Sequence, residues 1–306
     1  MLPNQKRTKA PKVSVVIAAY NYAKYLPYAL NSILDQTYQD YELIVVNDGS
    51  TDNTQDVLTP YLRHPKVRCY HKPNGGQANA ENFGIRQSQG PYVAFLDADD
   101  CWSPDKLARQ IPILEQSPNI GVVYSDARMI GPSGEDIPFI PPARFRGHIL
   151  RHLFGDNFIP FSSSVVRREL LDRHGLFDES LRMSTDYDLW LRLSITTEFD
   201  YVPAPLMAYR LGHGQMTSDI QSLTFWASLV EKRFVERSGS LVTRAMIKHR
   251  DFGNAYARFR RCERTDPLEA LRCLARMLSL RPSSTIPYKS LARLILVDLL
   301  GVLQRP

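Results

Sequence analysis

Tyr92-Val93-Ala94-Phe95-Leu96-Asp97-Ala98-Asp99-Asp100 is the stretch on which the reading of this chain turns. Residues 92–96 form an unbroken apolar run, which suits a strand covered on both faces rather than a half-exposed one. The run stops abruptly at carboxylates. In open sheets of parallel strands, ligands bind beyond the carboxyl ends of the strands, so acids at that position are candidates for chemistry.

Upstream of this stretch the same order repeats. Residues 13–18 are a β-branched run between Pro11 and Asn21, followed by a helical stripe of Leu26, Leu30, Ile33 and Leu34. Residues 43–46 form a second strand pattern ending in the turn cluster Asn47-Asp48-Gly49-Ser50, with a helix-like segment over residues 54–62. A short third strand, residues 67–70, precedes Gly75-Gly76, which opens a helix toward Gln87. Strand–helix–strand repetition predicts an α/β fold, a doubly wound and mostly parallel sheet flanked by helices. Every polar cluster falls at a strand's carboxyl end.

Downstream, Ser103-Pro104-Asp105-Lys106 reads as a helix start, and Pro112 predicts a kink or an early end to that helix. Residues 120–124 suggest a fifth strand, residues 132–142 a Pro- and Gly-rich loop, and residues 186–194 a helix. Beyond Thr217 the pattern is helical, including residues 267–280 and 290–300. The expected organisation is a tail (1–12), an α/β domain (13–218) divided into halves 13–130 and 131–218, and a helical C-terminal region (219–306).

Composition narrows the function classes. With 306 residues, 43% apolar and 23% charged, the chain can bury a sizeable core in one large or two smaller domains. The net charge of +6 suits an anionic small ligand or an anionic membrane surface, and no zinc-finger or aromatic–basic RNA-binding pattern accompanies it. Nucleic acid is therefore not an expected partner. Cys69, Cys101, Cys262 and Cys273 form no C-x-x-C pair and read as reduced thiols. No apolar h-region follows the basic N-terminus, and the most apolar late segment, residues 291–303, is interrupted by Arg293 and Asp298. The expected location is cytoplasmic, with peripheral contact at the inner face of the membrane as an option.

Asp97 and Asp99 lie one residue apart at a strand end, so in extended geometry their carboxylates point the same way. Packed like charges need a cation or donors to offset them. A hard divalent ion, Mn2+ or Mg2+, does this and also binds phosphate oxygens. The alternative is an Asp-rich turn that caps the following helix.

Several further motifs occur in order: Val13-Ser14-Val15-Val16-Ile17-Ala18-Ala19-Tyr20-Asn21, then Ser32-Ile33-Leu34-Asp35-Gln36-Thr37-Tyr38, then Glu42-Leu43-Ile44-Val45-Val46-Asn47-Asp48-Gly49-Ser50-Thr51-Asp52. With the acidic stretch, they make residues 13–218 resemble glycosyltransferase family 2, inverting nucleotide-sugar-dependent enzymes of GT-A fold. The resemblance implies that Ala19, Tyr20, Asn21 and Asp48 hold the nucleoside, a role in which a carboxylate accepts from a base N–H. It also implies that Gly76, Gln77 and Asn82 in Asn74-Gly75-Gly76-Gln77-Ala78-Asn79-Ala80-Glu81-Asn82 contact the donor, that Asp97 and Ala98 meet it near the ribose, and that Asp99 binds metal.

On the acceptor side, Phe177-Asp178-Glu179-Ser180-Leu181-Arg182-Met183-Ser184-Thr185-Asp186-Tyr187-Asp188-Leu189-Trp190-Leu191-Arg192 resembles the family's base region. Asp186 matches the catalytic base, and Thr185 stands where the family often has a first acid. Asp188 and Trp190 are assigned to the acceptor side, although Leu189, Trp190 and Leu193 also read as core. Trp102 lines the acceptor pocket or packs in the core. His213, flanked by Gly212 and Gly214, resembles a further metal or diphosphate ligand, the alternative being an exposed loop histidine; Arg210 could pair with the diphosphate.

The resulting expectation is an inverting, metal-dependent transfer from a nucleotide-diphosphate sugar, UDP-linked first, to a glycan or lipid-linked acceptor in cell-surface polysaccharide assembly. The C-terminal helices would touch membrane or form a homodimer. Two rivals remain: a non-catalytic nucleotide- or glycan-binding relative, and a sugar-nucleotidyltransferase. Ala19-Tyr20-Asn21-Tyr22 lacks the glycine-rich, basic triphosphate loop that the last of these needs.

Overall fold

The chain alternates as its apolar runs require. In a computed structural model that describes residues 10–263 and 265–298, β1 (Val13–Ala19) is almost wholly buried. It leads to α1 (Leu26–Leu34), whose Leu26, Ala29, Leu30 and Ile33 face the core. β2 (Tyr41–Asn47), buried at every residue, leads to the short α2 (Thr54–Leu58), and β3 (Val67–His71) to α3 (Gln77–Gln87). β4 (Tyr92–Phe95) is buried throughout, and the two-residue β5 (Cys101–Trp102) precedes α4 (Lys106–Gln116). Pro112 sits inside α4 rather than ending it, because Ile111 and Leu114 on either side are buried and hold the helix to the core.

The following half departs further from expectation. β6 (Ile120–Ile130) is longer than the expected residues 120–124, and it forms a hairpin with β7 (Asp136–Ile137) inside the segment read as a loop. Next come α5 (Leu150–Leu153), β8 (Val165–Arg167), α6 (Arg168–His174), α7 (Thr185–Leu193) and β9 (Glu198–Arg210). β9 carries Pro203 and Pro205, which cannot donate to a ladder. Its pairing with β6 slips there, Val202 facing Ser125 and Pro205 facing Asp126.

These strands form one sheet in the order β3-β2-β1-β4-β8-β6-β9-β5, with β7 beside β6. β3, β2, β1 and β4 run parallel. β8 is antiparallel to both β4 and β6, β9 is parallel to β6, and β5 is antiparallel to β9. The result is a mixed, mostly parallel sheet flanked by helices. The parallel half puts the ends of β1, β2 and β4 side by side.

The chain divides into two compact units, one running through Leu150 and resuming over Phe158–Phe234, the other joining Arg151–Asn157 to the chain from Val235 onward. The first includes most of α8 (Ile220–Ser238), which buries Val230, Glu231 and Phe234. The second is helical: α9 (Arg244–Cys262), α10 (Pro267–Leu280) and α11 (Thr285–Asp298). Phe252, Phe259, Cys273, Leu274 and Met277 form its core. Asp266 caps α10 by accepting from Glu269 N at 3.0 Å, with Pro267 at the first turn. Most of the expected tail (1–12) and the end of the expected helix 290–300 lie outside the described residues. Among the described residues no helix is long and apolar enough to cross a membrane.

Candidate active site

A cavity of ≈ 440 Å³ opens at the carboxyl ends of β1, β2 and β4. Of the residues expected to hold a nucleotide sugar, Ala19, Tyr20, Asp48, Gly76, Gln77, Asp97 and Ala98 line it, and so does the expected metal ligand Asp99.

The β2 end explains the glycines. Gly49 follows Asp48 with φ +73°, and a Cβ there would come within 2.6 Å of Asn74 N, so only glycine lets the two loops touch. The buried Asp48 carboxylate then accepts from Gly75 N at 3.0 Å and from Gly76 N at 2.8 Å, and from Lys72 Nζ. Asp48 thus organises the loop into α3 as well as facing the cavity. Asn21, with φ +60°, does similar work from the side, its Oδ1 accepting from Thr51 N at 2.7 Å while its own N–H donates to Ser50 Oγ at 3.0 Å. The expected role of Asn21 in holding the nucleoside is corrected on this point: its side-chain oxygen is engaged as a turn clamp, and it borders a neighbouring cavity rather than this one.

At the β4 end the three acids have different surroundings. Asp97 Oδ1 accepts from Gln77 Nε2 at 3.1 Å, and its backbone N–H donates to Ser162 Oγ at 3.0 Å. Burial, with the charges of Asp99 and Asp186 nearby, pushes the Asp97 carboxyl up to about 8. Asp100 is buried, accepting from Ser162 Oγ at 2.6 Å and Arg210 N at 3.0 Å, so it ties β9 to this loop. Burial raises the Asp99 carboxyl too, opposed by the neighbouring His213 and Arg210.

The buried His213 Nε2 lies 2.8 Å from Asp99 Oδ2 and makes no other hydrogen bond. Tyr25, at 4.9 Å between ring centroids, and Tyr22, at 6.0 Å, fix the imidazole, and Gly212 and Gly214 on either side have positive φ. A buried imidazole nitrogen this close to a carboxylate is a donor pair suited to a cation. Among the described residues no three His, Cys, Asp or Glu gather as a ready cage. Two protein ligands nevertheless fit Mn2+ or Mg2+, because such ions are commonly completed by substrate phosphates and water.

The segment around α7 supplies the third part. Ser184, with φ +58°, turns the chain into the helix, and Asp186 follows in its first turn, partly exposed. The charge of Asp186 raises the carboxyls of both Asp97 and Glu81, which places the three acids in one electrostatic neighbourhood. The loop before α7 is latched to α3: Glu179 accepts from Asn79 Nδ2 at 2.6 Å and Asn82 Nδ2 at 2.8 Å, and Phe177 N donates to Asn82 Oδ1 at 2.9 Å. From the other side Arg192 NH1 donates to the carbonyls of His174 at 2.6 Å and Gly175 at 2.9 Å, and Arg233 NH1 to Asp178 at 3.1 Å.

Four further expectations are corrected here. Asn82 is buried and satisfied by Phe177 and Glu179, so it positions a loop instead of touching the donor. Trp102 is buried in the main core, its Nε1 donating to Ser162 O at 2.7 Å, and presents no face to a sugar. Trp190 is fully buried. Asp188 is buried and accepts from Arg192 Nε at 2.8 Å. Arg210 likewise directs its guanidinium at the carbonyls of Asp99 (2.8 Å) and Gly131 (3.1 Å), bracing the acidic loop. In each case a residue that could face a ligand is taken up by the core, the backbone or another side chain.

Sequence reasoning missed others. Tyr22 and Tyr209 line the cavity, as do Gly214, Gln215, Met216 and Thr217. Tyr209 donates to or accepts from Thr217 Oγ1 at 2.9 Å, and burial with the acids pushes its phenol up to about 12. Ser162 carries no sequence signal; its link to Asp97 and Asp100 spans more than sixty positions. Glu81 had a faint one, being one helical turn beyond Gln77.

Residues 14–175 match the model of "Glycosyl transferase family 2". An uncharacterised glycosyltransferase of Rickettsia typhi is 32% identical over 222 residues, 70% of this chain and 68% of that protein. The hyaluronan synthase of Pasteurella multocida is 33% identical over 213 residues, 69% of this chain but only 21% of that protein. A relative from Rickettsia conorii is covered over 40% of its length, so the chain spans less than half of several relatives it matches. In structure, the chain is similar to a mannosyltransferase from Pyrobaculum calidifontis solved with GDP-Man and Mn2+, with a TM-score of 0.66 and 20% identity over 97% of this chain and 82% of that one.

Proposed function

Because the chain belongs to glycosyl transferase family 2, we propose that it transfers a sugar from a nucleotide-diphosphate donor, a UDP-sugar first, to a hydroxyl of a glycan or lipid-linked acceptor, with inversion at the anomeric carbon. The observation that carries this reading is the pair Asp97 and Asp99 on one cavity rim, with His213 2.8 Å from Asp99 and Asp186 within electrostatic reach.

The nucleoside end of the donor lies toward Ala19, Tyr20 and Asp48, where Asp48 offers its carboxylate to a base N–H beside the donors it already accepts. Asp97 faces the ribose and sugar. Asp99 and His213 would hold Mn2+ or Mg2+, which when bound offsets negative charge on the departing diphosphate. Asp186 takes the proton of the acceptor hydroxyl as that oxygen forms its bond to the anomeric carbon. The bond from that carbon to the diphosphate oxygen breaks on the opposite side, releasing the nucleoside diphosphate. One displacement assisted by one base inverts configuration, by the same logic as in inverting hydrolysis. The Ser184 turn and the Glu179 latch hold Asp186 in place, an orientation on which the rate depends.

The likeness to a hyaluronan synthase supports a glycan acceptor in polysaccharide assembly at the cell surface. We place the enzyme in the cytoplasm, at the inner face of the membrane, with the helical unit as the segment that touches membrane or a second copy. A panel of UDP- and GDP-sugars, each with and without Mn2+, tests the central claim by thermal shift and product analysis. The expected result is Mn2+-dependent stabilisation and transfer by the wild type, and loss of the Mn2+ effect in Asp99→Asn. Stabilisation by every nucleotide sugar without any transfer would instead favour the non-catalytic binding relative.

A further inference from the structure

We propose that Glu81 is a positioning residue that fixes the sense of the Gln77 side-chain amide, so that Gln77 Oε1 faces the cavity and accepts a hydrogen bond from a hydroxyl of the transferred sugar. This deepens the reading above and rests on it. Gln77 Nε2 donates to Glu81 Oε1 at 3.0 Å and to Asp97 Oδ1 at 3.1 Å. An amide nitrogen has two hydrogens, and both are engaged by carboxyl oxygens, so only the amide oxygen remains for a further bond. The sense of the amide is therefore dictated by its neighbours. Gln77 lines the cavity, and its oxygen is the atom left for a ligand.

Glu81 is built for this task. It lies one turn along α3, buried, and its Oε2 has no hydrogen-bond partner. Burial, with the charge of Asp97 beside it, raises its carboxyl well above the usual range, and a proton on Oε2 leaves Oε1 as the acceptor for Gln77. The place in the cavity selects the ligand group. Gln77 is bonded to Asp97, which the reading above sets beside the ribose and sugar, and the charge of Asp186 acts on both Glu81 and Asp97. In that reading Gln77 lies where the sugar joins the diphosphate, within reach of a sugar hydroxyl. A carbonyl acceptor flanked by acids favours a hydroxyl or amide N–H and disfavours a carboxylate.

The test compares, in Mn2+, the nucleotide sugar that the wild type turns over with the corresponding bare UDP or GDP. Glu81→Leu should weaken the nucleotide sugar by about tenfold, the size of one lost hydrogen bond, raising KM more than it lowers kcat and leaving the bare diphosphate's affinity unchanged. Glu81→Gln, which keeps an acceptor at Oε1, should rescue the affinity. Gln77→Met should show the same selective loss, and combining it with Glu81→Leu should add nothing further. Unaltered sugar affinity in Glu81→Leu, or equal loss of sugar and bare diphosphate, overturns the proposal. If Glu81→Leu does not fold, unaltered sugar affinity in Gln77→Met overturns it alone. A wild type that turns over no nucleotide sugar brings down the functional reading itself, and this proposal with it.

Discussion

Asp97 and Asp188 are both acids that the sequence pointed to, and the structure treats them in opposite ways. Asp97 stands at the end of β4, where the ladder stops and its carboxylate reaches a cavity. Asp188 stands within α7, buried and paired to Arg192 four residues on. The difference generalises to their surroundings. Beyond strand ends the sheet no longer covers the chain, so polar side chains there can reach the cavity, although Asp100 turns inward instead. Along a helix packed on a core, the direction of each side chain depends on rotation about the helix axis and on distant partners. Residues around the cavity thus follow topology more closely than those along α7, which follow packing.

The sharpest way to break this contrast is Asp186→Asn, because Asp186 is the one α7 residue placed in the chemistry. It should lower kcat by about 10²–10⁴-fold while donor affinity, measured by calorimetry, is unchanged. A variant that still transfers sugar at near wild-type rate would leave α7 with no catalytic part. Next in size is Asn82→Ala, which strips three hydrogen bonds from the latch between α3 and the loop before α7. Leaving those buried groups unpaired should cost roughly 1–3 kcal/mol in denaturant unfolding, with a fall in kcat at unchanged donor affinity. If only stability falls, the latch does not position the base.

Trp102→Phe sharpens the comparison from the core side. Loss of the Nε1 bond to Ser162 should cost about 1 kcal/mol of stability, with acceptor KM unchanged by initial-rate measurement. A raised acceptor KM would restore Trp102 to the acceptor pocket. The smallest effect expected is a pH dependence. The Glu81 carboxyl is raised in the folded state, so the folded protein holds a proton that the unfolded chain releases above about 4.5. Its contribution is present below that pH and is lost as pH rises. Glu81→Gln should therefore melt with the wild type at acid pH and a few degrees above it at alkaline pH.

The parallel half of the fold was legible because strands covered on both faces write themselves as unbroken apolar runs, as in residues 92–96. The mixed half was not: β8 has three residues and β5 two, too few for any pattern to register. β9 carries prolines that argue against a central strand, and only its slipped register with β6 accommodates them. In the site, the end of β4, the turn after β2 and the opening of α3 each carried local signals. Ser162 and the clamp function of Arg210 depend on partners far away in sequence, which no local pattern encodes. Trp102, Asp188 and Trp190 were misplaced because an aromatic or an acid beside a motif looks the same whether it faces ligand or core.

Helix α3 has a consequence beyond its contacts. Gln77 at its first turn borders the cavity, while Asn79 and Asn82 on the same helix grip the loop that leads to Asp186. Gly84 seats that helix hard on β1, where any Cβ would strike Val16 at 2.5 Å. Two reactants steadied from a common rail drift together: thermal displacement of the helix shifts both in register and leaves the gap between them nearly constant, as with two lenses on one optical bench.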